Sequence, residues 1–348
     1  MQQQKKLILQ APYQVCFQEK ALPELGPRHL LLRSVLSAFK HGTEMSAYCG
    51  SSSFATKHFD PKLRLFVETT ESNRGHFYPR TLGNMTVGIV EKVGEDVTAV
   101  SVGDHVFGWL PIANWHMVAD NKVQVLAKLT PHEALCIDPA SFALGGVLDG
   151  GVRYREKVLI TGLGAIGLLA IQYCKLHGAV VYAASSFAMR RKLAVEYGAD
   201  VVLDSTKMND LGLEIKQLTG EGVDLAIECS GKDAQLHQAI RATRQCGRVV
   251  CVGFYSGGAK KLCLGEEFFH NRITLLASLP AFSWNNPVRT EPQLYAPDLH
   301  RLVIEDFESQ RLNVAGMLQP TYAFEEAESA LELISKHPQE VLKIIIKY

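Results

Sequence analysis

The densest run of chemically competent side chains is Ala38–Gly50, AFKHGTEMSAYCG, with a histidine, a threonine, a glutamate, a serine, a tyrosine and a cysteine. Imidazole, carboxylate and thiolate are metal-ligand types. Imidazole and carboxylate also move protons near neutral pH. Hydroxyls in such a run often do no more than bond the local backbone. Residue types alone leave three readings open: a corner of a metal site, a metal-free catalytic pocket, or a polar turn.

The second such stretch is Gly162-Leu163-Gly164-Ala165-Ile166-Gly167, a G-x-G-x-x-G between the apolar run VLIT and the helically spaced AIGLLAIQYCKLHG. In that setting the first glycine makes a tight turn. The second lets the backbone approach a pyrophosphate, and the third lets helix and strand pack closely. The helix N-terminus then offers free N–H groups and partial positive charge to the phosphates. The following strand usually ends in an acid that bonds the ribose hydroxyls. Here it ends in Ser185-Ser186, with Arg190-Arg191 just beyond. Hydroxyls and guanidinium groups suit a 2′-phosphate, so NADP(H) is the expected cofactor.

Composition excludes other classes. The chain has 348 residues, 47% hydrophobic and 21% charged, enough for two domains of ordinary globular make-up. With 36 basic and 36 acidic residues its formal net charge is zero. No basic stripe suggests nucleic acid. The N-terminal apolar run is too short for a signal peptide, and no stretch approaches the roughly 20 apolar residues of a membrane helix. The eight cysteines are scattered without a C-x-x-C pair. Neither a zinc ribbon nor a disulfide framework is expected, and a reducing cytoplasm fits.

These stretches must be positioned by two kinds of scaffold. Residues 1–145 carry short alternating patterns broken by glycine, as in TVGIVEKVGEDVTAVSVGDHVFGW, which predict antiparallel strands in a barrel-like unit. From Val158 the pattern becomes strand–helix alternation: VLIT, AVVYAAS, DVVLD, VDLAIECSG, RVVCVGF and ITLLAS, with helices between several of them. That alternation predicts a doubly wound parallel sheet, an α/β fold. A Pro/Asn-rich passage follows Ser278, then helices near 297–310 and 324–336 and a last strand, VLKIIIKY.

GTEMSAYCG, YPRTLGNMTVGIVEKVGEDVTAVSVGDHVFG, VLITGLGAIGLLAIQYCKLHGA, KLAVEYGADVVLD, DLAIECSG and GRVVCVGF together resemble the medium-chain dehydrogenase/reductase superfamily over nearly the full length. The resemblance implies a GroES-like β-barrel catalytic domain at 1–146 and 280–348, and a Rossmann dinucleotide-binding domain at 147–279. Zinc members carry a cysteine ligand in C-[GH]-[ST]-D, His-Glu in L-G-H-E-x-x-G-x-V, and a later Cys, Glu or Asp. The matching positions here are His41, Asn84-Met85 and Asp138, and the four-cysteine structural zinc lobe is missing. Asparagine and methionine are poor zinc ligands, so no metal is expected. The quinone-reductase signatures N-P-x-D and G-x-D-x-A-G are absent as well. The GTE pattern and the long insert at about Ser51–His76 are similar to a branch containing bacteriochlorophyllide-type and secondary-metabolite alcohol dehydrogenases. The insert is expected to cover the substrate mouth or to be a surface excursion.

By the same resemblance, Thr43 relays the substrate proton, and His41 and Asn84 donate to the substrate oxygen, while Glu44 orients its neighbours. Asp138, Tyr78, Trp115 and His116 are weaker pocket candidates, and Tyr48 and Cys49 are packing residues. Val252, Gly253 and Ser278 are expected beside the nicotinamide. The implied activity is hydride transfer between NADP(H) and an alcohol or carbonyl substrate by a cytoplasmic homodimer. Family members dimerise through a sheet edge, and ITLLAS is apolar enough for that. The rival readings are a zinc-free enoyl or quinone reductase and a non-catalytic NADP(H)-binding sensor.

Overall fold

A computed structural model describes residues 2–70, 77–280, 289–290 and 293–348. It divides into two compact units, Met1–Leu135 with Leu318–Tyr348, and Cys136–Met317.

In the first unit the long strands His29–Ala38 and Met85–Val93 pair antiparallel at the centre of a seven-stranded sheet. Their segments HLLLRSVLSA and MTVGIVEKV are apolar enough to be buried along most of their length. Gly88 has no substitute there, because a Cβ would stand 2.8 Å from the Arg33 carbonyl oxygen of the paired strand. Outward from this pair lie the strands His105–Gly108 and Val123–Val125 on one side. On the other lie Lys343–Lys347 and Leu318–Ala323, so residues from the far end of the chain complete the sheet. A second sheet combines Gln3–Ala11, Gln14–Ala21 and Arg80–Thr81. Leu7, Leu9, Phe39, Leu82, Ile112, Phe324, Leu331, Ile344 and Ile346 form one core cluster in this unit. The insert folds in part as a hairpin, Lys57–Asp60 against Leu65–Glu68, with Phe54, Phe59 and Phe66 edge-to-face and Leu63 exposed. Residues 71–76 of that insert lie outside the described residues, as does most of the Pro/Asn-rich passage.

The second unit is a six-stranded parallel sheet. Its order is Val201–Asp204, Val180–Ser185, Lys157–Thr161, Val223–Glu228, Thr243–Cys251, Thr274–Ala277. The chain starts in the middle, runs to one edge, then crosses to the other, so the strand order reverses beside Lys157–Thr161. In open α/β sheets that reversal opens the ligand crevice at the strand C-terminal ends. Helices Ala165–Leu176, Ala188–Glu196, Leu211–Thr219 and Asp233–Ala242 occur where the alternation predicts them.

One large helix was not expected: Ile137–Gly150, IDPASFALGGVLDG. It is buried almost all round, so it has no polar face to betray a helical period. Its glycines are contact points: Cβ atoms at Gly145 and Gly146 would meet Pro280 at 3.0 Å and Val252 at 2.5 Å. Gly151 closes it in the left-handed conformation, φ 57°. Because this helix packs on Ala165–Leu176 and Ala296–Glu308, the residues 136–146 and 293–317 group with the nucleotide-binding sheet. The boundaries drawn from the resemblance at 146 and 280 thus differ from the packing units.

Candidate active site

His41 opens the helix His41–Tyr48, and Thr43, Glu44 and Ser46 follow within its first two turns. The run is a helix rather than a polar turn because the Glu44 N–H reaches the Lys40 carbonyl at 2.9 Å and the ladder then continues. Glu44 is buried, and its carboxylate accepts from the Lys40 N–H at 2.7 Å and the Gly83 N–H at 2.5 Å. It therefore fixes both the start of the helix and the turn that carries Asn84. Gly83 has φ 84°, and a Cβ there would strike Ile112 at 2.5 Å. Burial raises the Glu44 pKa, opposed by the two N–H donors and by the charges of Arg80 and Lys343.

A raised folded value means that Glu44 contributes stability below the ordinary glutamate range and loses that contribution as pH climbs through the elevated value. Glu44→Gln should therefore destabilise by about 1–3 kcal/mol, since an amide N–H₂ must face one of the backbone donors. The margin of wild type over Glu44→Gln should shrink as pH rises. Chemical denaturation of both proteins across a pH series measures it; a margin flat in pH would contradict the buried titration.

His41 is half-buried, and its Nε2 accepts the Ile344 backbone N–H at 3.1 Å. A neutral imidazole that accepts at Nε2 carries its proton at Nδ1 and is there a donor. The Thr43 hydroxyl makes no hydrogen bond among the described residues, whereas its carbonyl accepts from the Ser46 hydroxyl at 2.8 Å. The Asn84 Oδ1 is buried without a hydrogen-bond partner among the described residues. Turning the amide would present N–H₂ donors at the same spot. Of the four residues named from sequence, Thr43 and Asn84 thus present polar atoms without a hydrogen bond among the described residues, His41 accepts one at Nε2, and the Glu44 carboxylate braces the helix start and the turn.

The weaker candidates separate. His116 is buried, which pushes its pKa down to about 4 and keeps it neutral. The Tyr78 hydroxyl is committed to the Ala47 carbonyl at 2.5 Å. Tyr48 is buried edge-to-face against Tyr13, and Cys49 packs against the same core, as expected of packing residues. Asp138 belongs to the second unit, in the first turn of Ile137–Gly150.

In that unit the three glycines of the loop do different work. Gly162 has φ 78°, and a Cβ there would lie 2.4 Å from the Ser230 nitrogen. A Cβ at Gly167 would lie 2.3 Å from the Gly162 carbonyl oxygen. At Gly164 a Cβ would meet nothing within 4 Å. Gly164 caps the helix Ala165–Leu176, and Leu163 is buried beneath the turn while Ala165 and Ile166 open the first helical turn. Open space over a helix N-terminus is what a bound pyrophosphate requires, so these residues fit a dinucleotide.

The ribose end differs from the sequence reading. Arg191 is held by the Ser185 carbonyl at 2.8 Å and by the Asp204 carboxylate at 2.8 Å. An acid thus stands beside Ser185 after all, supplied by the neighbouring strand through the Ser185↔Asp204 pairing. Arg191, expected to face a 2′-phosphate, is instead engaged by these two groups of the protein. Arg190 lies over the Phe187 ring at 4.6 Å, and the Ser185 hydroxyl accepts the Phe187 N–H, while Ser186 is exposed.

Val252 and Gly253 both donate backbone N–H groups to the Glu228 carbonyl, at 2.9 and 3.0 Å. A Cβ at Gly253 would lie 2.1 Å from the Gly231 nitrogen. The Ser278 backbone N–H reaches the Cys251 carbonyl, and its hydroxyl is buried without a hydrogen-bond partner among the described residues. Sequence reasoning missed Glu228, which accepts from Ser230 and Gly231 N–H groups at 2.7 and 3.0 Å and from the Tyr255 hydroxyl. An acid ending an otherwise apolar strand is the signal that could have found it.

The chain thus carries a glycine loop of dinucleotide-binding type on a parallel sheet in one unit, and His41, Thr43, Glu44 and Asn84 in a separate β-rich unit. The alcohol dehydrogenase GroES-like domain model matches residues 49–159, and the zinc-binding dehydrogenase model matches residues 165–285. D-guloside 3-dehydrogenase of Escherichia coli (strain K12) is 32% identical over 353 residues, covering 99% of this chain and 100% of the relative. The chain belongs to the zinc-type medium-chain alcohol dehydrogenase superfamily. A Sinorhizobium meliloti 1021 protein solved bound to NADP superposes with TM-score 0.76 at 20% identity, covering 100% of both chains. An alcohol dehydrogenase from Escherichia coli CFT073 complexed with NADH gives TM-score 0.75 at 18% identity, covering 99% of each. No helix among the described residues is long and apolar enough to cross a membrane.

Proposed function

We propose that this protein transfers hydride between NADP(H) and a secondary alcohol or its ketone on a polar, ring-bearing substrate, without zinc. The nicotinamide supplies the hydride chemistry; the chain supplies orientation and charge stabilisation. Gly162, Gly164 and Gly167 hold the pyrophosphate, Arg190 with Ser185 and Ser186 receives the 2′-phosphate, and Val252, Gly253 and Ser278 border the nicotinamide. During reduction a negative charge grows on the substrate oxygen. His41 Nδ1–H and the Asn84 amide donate to it, and the Thr43 hydroxyl passes it the proton.

The observation that carries this reading is the Ile344 N–H bond to His41 Nε2. It holds the imidazole as an Nδ1–H donor at the position where zinc members place a ligand. The second position offers Asn84-Met85, with Met85 wholly buried in the sheet, so only His41 and the third position, Asp138, remain as good ligand types. This donor set does not fit a zinc ion, which takes three good protein ligands and keeps one position open. The full-length similarity to D-guloside 3-dehydrogenase supports a sugar-like ring alcohol as the substrate class.

The test is turnover of a panel of cyclic polyols and glycosides with NADP⁺ and NAD⁺, beside a panel of conjugated enones with NADPH. Oxidation of a ring hydroxyl supports the proposal. Reduction of the alkene would make the protein an enoyl reductase, and tight binding with no turnover would make it a sensor. Zinc that is retained by wild type but lost from His41→Ala would overturn the metal-free site.

Cofactor choice makes a separate prediction. An Arg–phosphate contact contributes about 1.5–3 kcal/mol, roughly tenfold to a hundredfold in affinity. Arg190→Ala should weaken NADPH binding by that factor and leave NADH unchanged, as read by nucleotide fluorescence titration. Equal losses for both would mean that Arg190 serves the fold. We also propose a homodimer through the outer strand Thr274–Ala277, where Leu275 and the following Leu279 are exposed. Light scattering on the eluting protein gives the assembled mass; a monomer would refute it.

A further inference from the structure

Among the described residues, one group of three side chains could share a metal ion: His237, Cys263 and Glu266, whose ligand atoms all lie within 4.8 Å of one another. We propose that these residues form a zinc-type metal site in the nucleotide-binding unit, with one position left open to water. It stands independently of the hydride chemistry proposed above.

The elements that meet there are specific. His237 projects from the helix Asp233–Ala242, and Cys263 and Glu266 come from the segment that leads into the strand Thr274–Ala277. The two glutamates of that segment divide. Glu267 pairs with Arg241 at 2.5 Å, and Arg241 also binds Asp210 at 2.5 Å. Glu266 makes no ion pair with Arg241 among the described residues, although its charge helps to raise the Arg241 pKa. The backbone leaves helical angles at Glu266, φ −96° and ψ −126°, and its carboxylate stands 3.8 Å from His237 Nε2.

His237 is the second observation that points to a ligand. Its Nδ1 is buried with no hydrogen-bond partner among the described residues. Its Nε2 lies beyond hydrogen-bond distance of Glu266. A mostly buried imidazole with neither nitrogen in a hydrogen bond among the described residues is uncommon without a further group nearby. Neutral imidazole, thiolate and carboxylate together bring two negative charges, which match a divalent cation. Nitrogen, sulfur and oxygen are all zinc-ligand types, three such side chains leave the fourth tetrahedral position to water, and the thiolate selects against magnesium and calcium. Zinc bonds of about 2.0–2.3 Å require these atoms to draw closer than they now stand. Cys263 and Glu266 are exposed, so their side chains have room to close on the ion.

The probe is cobalt(II) on chelator-stripped, full-length protein. We expect about one cobalt per chain with a tetrahedral visible spectrum and a sulfur-to-cobalt charge-transfer band, displaced by zinc. Cys263→Ser should abolish the charge-transfer band, and His237→Gln should weaken binding by more than about tenfold. Both variants should retain wild-type NADPH affinity, which certifies the fold. Absence of the band in wild type, or its survival in Cys263→Ser, would overturn the site. Cobalt binding that is lost in His41→Ala but kept in Cys263→Ser would move the metal to the other unit. That outcome refutes this proposal and the metal-free reading separately.

Discussion

Gly164→Ala is expected to fold like wild type and to bind the dinucleotide about a hundredfold more weakly, roughly 2.7 kcal/mol. A Cβ at Gly164 meets no atom of the protein within 4 Å, and its φ of −83° suits alanine. The methyl would stand only in the space that a pyrophosphate must enter. Gly167→Ala is the contrasting case. Its Cβ would lie 2.3 Å from the Gly162 carbonyl oxygen, so helix and strand must part, at a cost of about 1–3 kcal/mol in stability. Thermal melts and nucleotide titrations of the two variants separate the effects. Full-strength NADPH binding by Gly164→Ala would mean that the cofactor does not lie over this loop.

Thr43→Val is expected to lower turnover by about 10²- to 10⁴-fold, the range over which a positioned proton-transfer group acts. Valine keeps the shape of threonine and removes only the hydroxyl. That hydroxyl makes no hydrogen bond among the described residues, so its loss leaves the helix His41–Tyr48 intact. Melting temperature and NADPH affinity should stay at wild-type values, and Thr43→Ser should restore most of the rate. The decisive measurement is single-turnover hydride transfer on a substrate from the panel. If valine turns over as fast as threonine, the proton travels by another route, and His41 becomes the group to replace.

The parallel sheet was legible because each of its strands is a short apolar run followed by a turn or a capped helix, and that rhythm has few folded solutions. The glycine loop was legible for the same reason, since its spacing has meaning only between a strand and a helix. The helix Ile137–Gly150 was hidden because burial on every side erases the polar stripe on which a periodic reading depends. Glu44 could be named as an orienting acid, but its partners are the backbone N–H groups of Lys40 and Gly83, which leave no mark in a sequence. Asp204 was passed over because its partnership with Arg191 is set by the pairing of neighbouring strands. Side chains that answer to their own element can be read along the chain, whereas those that answer to another element's backbone cannot.

The bond from Ile344 to His41 also bears on how the protein is made. The nucleotide-binding unit is one continuous stretch, Cys136–Met317, and has all its residues before synthesis reaches the strand Lys343–Lys347. The first unit has most of its residues earlier still, yet its central strand His29–Ala38 lacks a neighbour until Lys343–Lys347 emerges. Domains usually fold as units, N-terminal first, during synthesis. Here the unit begun first is the one finished last. A nascent chain can acquire the nucleotide fold while its histidine still lacks the peptide that sets its tautomer. The glycine loop can therefore form before the hydrogen bond to His41 does.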